Sequence, residues 1–169
     1  QDRVAEMKAA IARKEADSQL WRREFVRTFA ERDLAVLGVA IAPDTVRRFW
    51  SMLAHYHGQL WNAAELGRAF GVTEKTVRHY LDVLCATFMA RRLMPWFENL
   101  GKRQAKTPKV YLADSGVLHH LLGIETADQL HGHPKVGASF EGFAIQEIVA
   151  ALTIEEPVEK FSVNVASVL

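Results

Sequence analysis

A chain of 169 residues that is 49% apolar and 24% charged has room for one globular domain with further elements attached, and its composition is not that of a disordered chain. The lone Cys85 excludes an intramolecular disulfide, and no apolar run is long enough to cross a bilayer, so a soluble, cytoplasmic protein is expected. The formal net charge of +1 hides an asymmetry: Asn62 to Lys109 holds nine basic and four acidic residues, a local +5 that leaves −4 elsewhere and points to an anionic partner.

Residues 1–42 are predicted to be helical. Val4, Met7 and Ile11 form a weak stripe, and Asp17 or Ser18 is placed to cap a second helix carrying Trp21, Phe25, Val26, Phe29 and Leu34. In "APDTVRRFWSMLAHYHG", Pro43 suits a first turn, Val46, Phe49, Trp50 and Leu53 keep helical spacing, and Gly58 is the expected C′ stop. "QLW" reads as a small strand. Two helices, Ala63–Phe70 and Glu74–Phe88, follow around a tight turn. "RRLMPWF" (Arg91–Phe97) and "KVYLAD" (Lys109–Asp114) are predicted strands separated by a polar stretch. "SGVLHHLLG" is a short helix ended by Gly123, and "TADQLHGHPKVG" is a connector with Thr126 as a potential cap. "ASFEGFAIQEIVAAL" is expected to be an amphipathic helix and "KFSVNVASVL" a strand.

The stretch "LGRAFGVTEKTVRHYL" meets the demands of a helix-turn-helix. Gly67 lets two helices approach, Gly71 tolerates the positive φ of the turn, and Thr73 is a suitable N-cap. Val77, Leu81, Leu84 and Phe88 are predicted to face inward, leaving Glu74, Lys75, Arg78 and Asp82 outward with Thr76 and His79 at the edges. In such proteins the N-terminal half of this outward face enters the major groove, where Lys75 and Arg78 suit guanine edges or phosphates. Two strands joined by a loop with Lys102, Arg103 and Lys106 would then form a wing whose cations grip the backbone. The expected fold is therefore mostly α with small β, a winged helix over Pro43–Asp114. The expected domains are 1–42, 43–123 and 124–169. Candidate DNA-binding residues are Thr73, Lys75, Thr76, Arg78, His79, Lys102, Arg103 and Lys106; the alternative is a solvated helix face and loop.

"FAERDLAVL", "GQLWNAAELGRAFGVTEKTVRHYLDVL", "NLGKRQAKTPKVYLADSGVLHHLLGI" and "HPKVGASFEGFAIQEIV" resemble, in order and spacing, the C-terminal half of prokaryotic AAA-type ATP-binding proteins. The resemblance covers roughly Trp21 to Leu152. It implies a winged helix followed by a domain of unknown function with a restriction-endonuclease-like core, here a partial α/β element over 124–169. It also implies that residues 1–42 resemble the connection from an ATPase lid, with Arg32 toward the missing module. The chain has no G-x-x-x-x-G-K-[ST], so it is not expected to hydrolyse ATP alone, and no cofactor is expected. Glu141 matches the family's helix position, but neither an aspartate nor Glu-x-Lys follows it, so a complete nuclease metal site is not expected.

His55 and His57 diverge on a helix, and His119, His120, His131 and His133 lack a converging fourth partner, so surface and turn roles are expected rather than zinc ligation. Trp21, Trp50, Trp61 and Trp96 are scattered among apolar neighbours and are expected to pack. The functional expectation is a double-stranded-DNA-binding module of an AAA-type protein without its motor, and not an enzyme. The alternatives are a scaffold docking the ATPase core or another subunit, or a degenerate nuclease. An exposed apolar N-terminal surface would permit a homo-oligomer.

Overall fold

The structure is a computed structural model that describes residues 15–95 and 107–155. The expectations for Val4–Ile11, Trp96, Lys102, Arg103, Lys106 and "KFSVNVASVL" lie outside those residues.

The described chain is mostly helical with one small antiparallel sheet. Helix α1 (Glu15–Thr28) runs through a π-helical segment (Phe29–Asp33) into a short α2 (Leu34–Val36). Neither Asp17 nor Ser18 caps it, because the helix is already under way at Glu15. The Ser18 hydroxyl instead accepts from Arg22 Nη2 at 2.9 Å. In the π segment Leu34 N–H bonds to Phe29 O, five residues back. The wider turn brings Phe29, Ala30 and Leu34 into the core together.

Helix α3 (Pro43–His55) starts with proline in its first turn and buries Val46, Phe49, Trp50, Leu53 and Ala54. Tyr56 caps it, so Gly58 lies one position beyond the expected stop. There, at φ +76, Gly58 turns the chain into β1 (Gln59–Leu60). Helices α4 (Ala63–Phe70) and α5 (Glu74–Ala86) follow, then β2 (Ala90–Leu93) and β3 (Lys109–Leu112). Both strands are shorter than predicted. Asp114, expected to end β3, caps α6 (Ser115–Leu121) by accepting from Val117 N at 2.7 Å. The expected connector contains a helix, α7 (Ala127–His131). A complete capping box between Thr126 and Gln129 nucleates it. Helix α8 (Val136–Glu155) completes the described chain, so residues 124–155 hold only helices.

Strand order is β1-β3-β2, with β3 central and both pairings antiparallel. Alternation along β3 sorts the sheet into two faces. Val110 and Leu112 face the helices and belong to the main core, which is centred on α3 and includes Trp50, Phe49 and Leu81. Lys109 and Tyr111 face the other way, with Arg91 directly opposite Tyr111 and Leu60 opposite Lys109.

Helix α8 reaches residues of this outer face. Glu141 Oε1 accepts from Lys109 Nζ at 2.8 Å, and Gln146 Oε1 from Arg91 Nη2 at 3.4 Å. Its packed face buries the small Ser139 and Gly142 together with Ile145. The opposite face is not the polar surface expected of an amphipathic helix: Phe140 is 70% and Phe143 48% exposed.

Candidate nucleic-acid interface

The α4–α5 junction is set by local chemistry. Asn62 caps α4 through its carboxamide oxygen, which accepts from Glu65 N at 3.2 Å. Gly71, at φ +75, supplies the left-handed turn. A Cβ on Gly67 would lie 2.9 Å from Val72 O, so the two helices cross at a distance that only glycine allows. Val77, Leu81 and Leu84 are buried as predicted. Phe88 is not: α5 ends at Ala86, and Phe88 at φ +61 turns its ring outward.

The free face of α5 presents Glu74, Lys75, Arg78, His79 and Asp82, all exposed. Thr73 and Thr76 are committed to the cap. The Thr73 hydroxyl accepts from Thr76 N at 3.2 Å, and the two hydroxyl oxygens are 2.9 Å apart. Arg78 pairs with Glu74 at 3.5 Å, one turn away, while the ring of His79 lies against Tyr80. Among the described residues Lys75 makes no hydrogen bond or ion pair. Arg92, on the helix-facing side of β2, is ion-paired to Asp82. An open hollow of about 450 Å³ lies beside the start of α5, lined by Arg68, Gly71, Thr73 and Glu74 among others. The structure thus brings Lys75, Arg78 and His79 to one face.

Glu141 stands apart from that face, over the outer side of the sheet. Besides its ion pair with Lys109 it faces the buried Tyr111 hydroxyl. Burial and the nearby carboxylate both push the Tyr111 pKa up, although the hydroxyl lacks good hydrogen-bond geometry with any partner among the described residues. Among the described residues no three His, Cys, Asp or Glu side chains converge on a point where a metal ion could sit.

Two histidines differ from the surface and turn roles expected. His57 lies past the end of α3 and is 2% exposed. Its Nδ1 accepts from Leu112 N at 3.0 Å, which leaves Nε2 to donate to Ala138 O at 3.0 Å. The neutral ring is therefore the one that satisfies both partners. Burial lowers the His57 pKa to about 4. His119 is half-buried against Ser139 at 2.7 Å, and burial followed by Arg22 lowers its pKa. Cys85 is half-buried beside the core, and burial pushes its thiol pKa up, away from a reactive thiolate.

Sequence reasoning missed His57, Tyr111 and Lys109 as partners of α8, together with the outward turn of Phe88. Only the polar Lys109 and Tyr111 alternating with Val110 and Leu112 hinted at a sheet with two covered faces.

These observations define a mostly helical protein with a three-stranded antiparallel sheet. Residues 7–128 match the family model described as Domain of unknown function (DUF8612), and the chain belongs to that family. Uncharacterized protein Mb2031c of Mycobacterium bovis and uncharacterized protein Rv2008c of Mycobacterium tuberculosis are each 52% identical to it over 141 residues. The match covers 83% of this chain but 32% of either relative, so the chain spans about a third of their length. No solved structure matches it. No helix among the described residues is long and apolar enough to cross a membrane.

Proposed function

We propose that Pro43–Leu112 is a winged helix that binds double-stranded DNA. In this reading α5 enters the major groove, with Lys75, Arg78 and His79 toward base edges and phosphates. The segment joining β2 to β3 contacts the backbone through Lys102, Arg103 and Lys106. Thr73 and Thr76 hold the start of α5 and contribute its backbone N–H groups rather than their hydroxyls.

The observation that carries the reading is the order helix, strand, helix, tight turn, helix, strand, strand, with a cation-bearing outer face on its third helix. On the resemblance to AAA-type ATP-binding proteins, the module would sit beside an ATPase and lend it DNA contact. Such a module is a binding unit and not the catalyst.

Fluorescence anisotropy of a labelled random-sequence duplex tests this. The full chain should bind, and Lys75→Ala with Arg78→Ala should weaken binding at least about tenfold. No binding at low salt would exclude the reading.

One observation favours a second reading, a protein-docking scaffold. Phe140 and Phe143 leave an apolar stripe on α8. That reading requires a stable protein complex which survives the α5 substitutions and is lost with Phe140→Ser and Phe143→Ser.

A further inference from the structure

Away from α5, a second cation-bearing surface lies where α1 packs on α6. Gln19, Arg22 and Arg23 on α1, with His120, Gly123 and Glu125 at and beyond the end of α6, line a cavity of about 440 Å³. That volume falls in the common range of small-molecule sites, about 300–1,000 Å³. Residues 19, 22 and 23 share one face of α1 by helical spacing. Across the seam, Gln19 Nε2 donates to Glu125 O at 3.1 Å, and Glu125 N donates to Gln129 Oε1 at 2.7 Å in the capped start of α7. Gly123, at φ +71, turns the chain after α6 and has no atom within 4 Å of where a Cβ would lie.

Arg22 is the best-fixed cation of the lining. Its Nε and Nη2 donate to Ser18 O at 3.1 Å and Ser18 Oγ at 2.9 Å, and its Nη1 to Gly116 O at 3.4 Å. These neutral partners orient the guanidinium without offsetting its charge, and leave N–H groups to spare on both Nη atoms. Arg22 makes no ion pair among the described residues, and Asp114 at the start of α6 gives its carboxylate to Val117 N instead. Gly116 and His120 lie four residues apart on α6, so the guanidinium bonded to Gly116 O sits one turn from the His120 ring. Burial first, then the charges of Arg22 and Arg23, hold the His120 pKa below its ordinary value, against the opposing pull of Glu125. Arg23 meets Glu24 only at 3.7 Å in an exposed pair, which leaves its charge largely available.

We propose that this cavity binds a phosphoryl group. The Arg22 fork and Arg23 take its oxygens, and the half-buried His120 ring, which has no hydrogen bond among the described residues, completes the contact. A planar guanidinium matches two phosphate oxygens at once. A dianion offsets both guanidiniums and still tolerates Glu125, whereas a single carboxylate leaves one guanidinium uncompensated. The proposal is independent of DNA binding by α5.

The test titrates the full chain with sodium phosphate, adenosine monophosphate and sodium acetate at constant ionic strength, following the His120 ring resonances by NMR. Phosphate should bind with a Kd on the order of 1 mM, acetate about tenfold more weakly, and bound phosphate should raise the His120 pKa. Arg23→Ala, at an exposed position, should weaken phosphate about fivefold with Tm unchanged, and Arg22→Lys, which keeps the charge but loses the fork, about tenfold. Lys75→Ala with Arg78→Ala should leave phosphate binding as it is. A random-sequence duplex that moves the same resonances would make a nucleic-acid backbone the source of the phosphate, and a response to the small phosphates alone would make it a free molecule. No saturable response to phosphate or the nucleotide would overturn the proposal. So would acetate binding as tightly as phosphate, or phosphate binding unchanged in both arginine variants.

Discussion

Glu74 and Arg78 lie one turn apart on the free face of α5, paired at 3.5 Å and both more than half exposed. A carboxylate there repels phosphate and occupies a guanidinium that would otherwise reach one, although acids in a first helical turn also suit the helix dipole. On the DNA-binding reading, Glu74→Gln should tighten binding to random-sequence duplex by roughly threefold to tenfold, with little change in Tm. Unchanged or weaker binding in anisotropy would remove Glu74 from the interface. His57 makes a prediction of the opposite kind, concerning stability alone. Its folded pKa of about 4 lies below the ordinary value of 6.5, so between these values the unfolded chain holds the proton that the folded chain refuses. Stability is therefore full above pH 6.5 and falls as the pH drops toward 4, by at most about 3 kcal/mol from this residue. The half-buried His119 and His120 are shifted in the same direction. Urea midpoints at pH 7.0 and 4.5 should thus separate less in a His57→Gln chain than in the parent. An equal separation in both would mean that His57 is not held neutral.

Between elements, several close approaches depend on the missing Cβ of a glycine. Gly67→Ala would set a Cβ 2.9 Å from the Val72 carbonyl oxygen, an atom fixed by the turn, so α4 and α5 must separate. The expected cost is roughly 1–3 kcal/mol, read as a lower Tm in calorimetry. Gly142→Ala would set a Cβ 2.5 Å from His57 Nε2, a ring already bonded on both sides, and should loosen α8 from the sheet with a similar cost. Hydrogen exchange would place that loosening in α8 and leave α4–α5 protected. The α4–α5 junction was legible in the sequence because its signals are local: Gly67, Gly71 and Thr73 each act within a few residues of themselves. The core stripe of α3 was legible for the same reason. The π segment after α1 was not, since an extra residue in a turn is decided by which side chains the core accepts. Nor was the outward turn of Phe88, because helical spacing projected α5 beyond Ala86 while the helix end is set by its cap. His57 escaped notice because its two partners, Leu112 and Ala138, lie 55 and 81 residues away.

For the whole molecule, a net charge of +1 means that any affinity for DNA must arise from where charge is placed, not from its total. The segment from Asn62 to Lys109 carries the excess, but its cations are not equally available. Lys109 is held by Glu141 and Arg92 by Asp82, and Arg91 is directed to Gln146. Arg78 is shared with Glu74, while Arg68 and Lys75 make no ion pair among the described residues, so on the DNA-binding reading these two and Lys102, Arg103 and Lys106, which lie outside the described residues, are the main contributors. Each phosphate neutralised on a duplex contributes about −0.9 to the slope of log K against log salt, so four to five contacts predict a slope of roughly −4. Alanine at all three wing positions should flatten it to about −1 to −2, while Lys75→Ala alone should change it by about one. The slope separates the functional readings more sharply than an affinity at one salt concentration does. A scaffold that binds duplex weakly through diffuse charge would give a shallow slope that no single substitution moves. A slope near −4 that the wing substitutions leave intact would instead place the contacts on the other basic surfaces, such as Arg22 and Arg23 on α1.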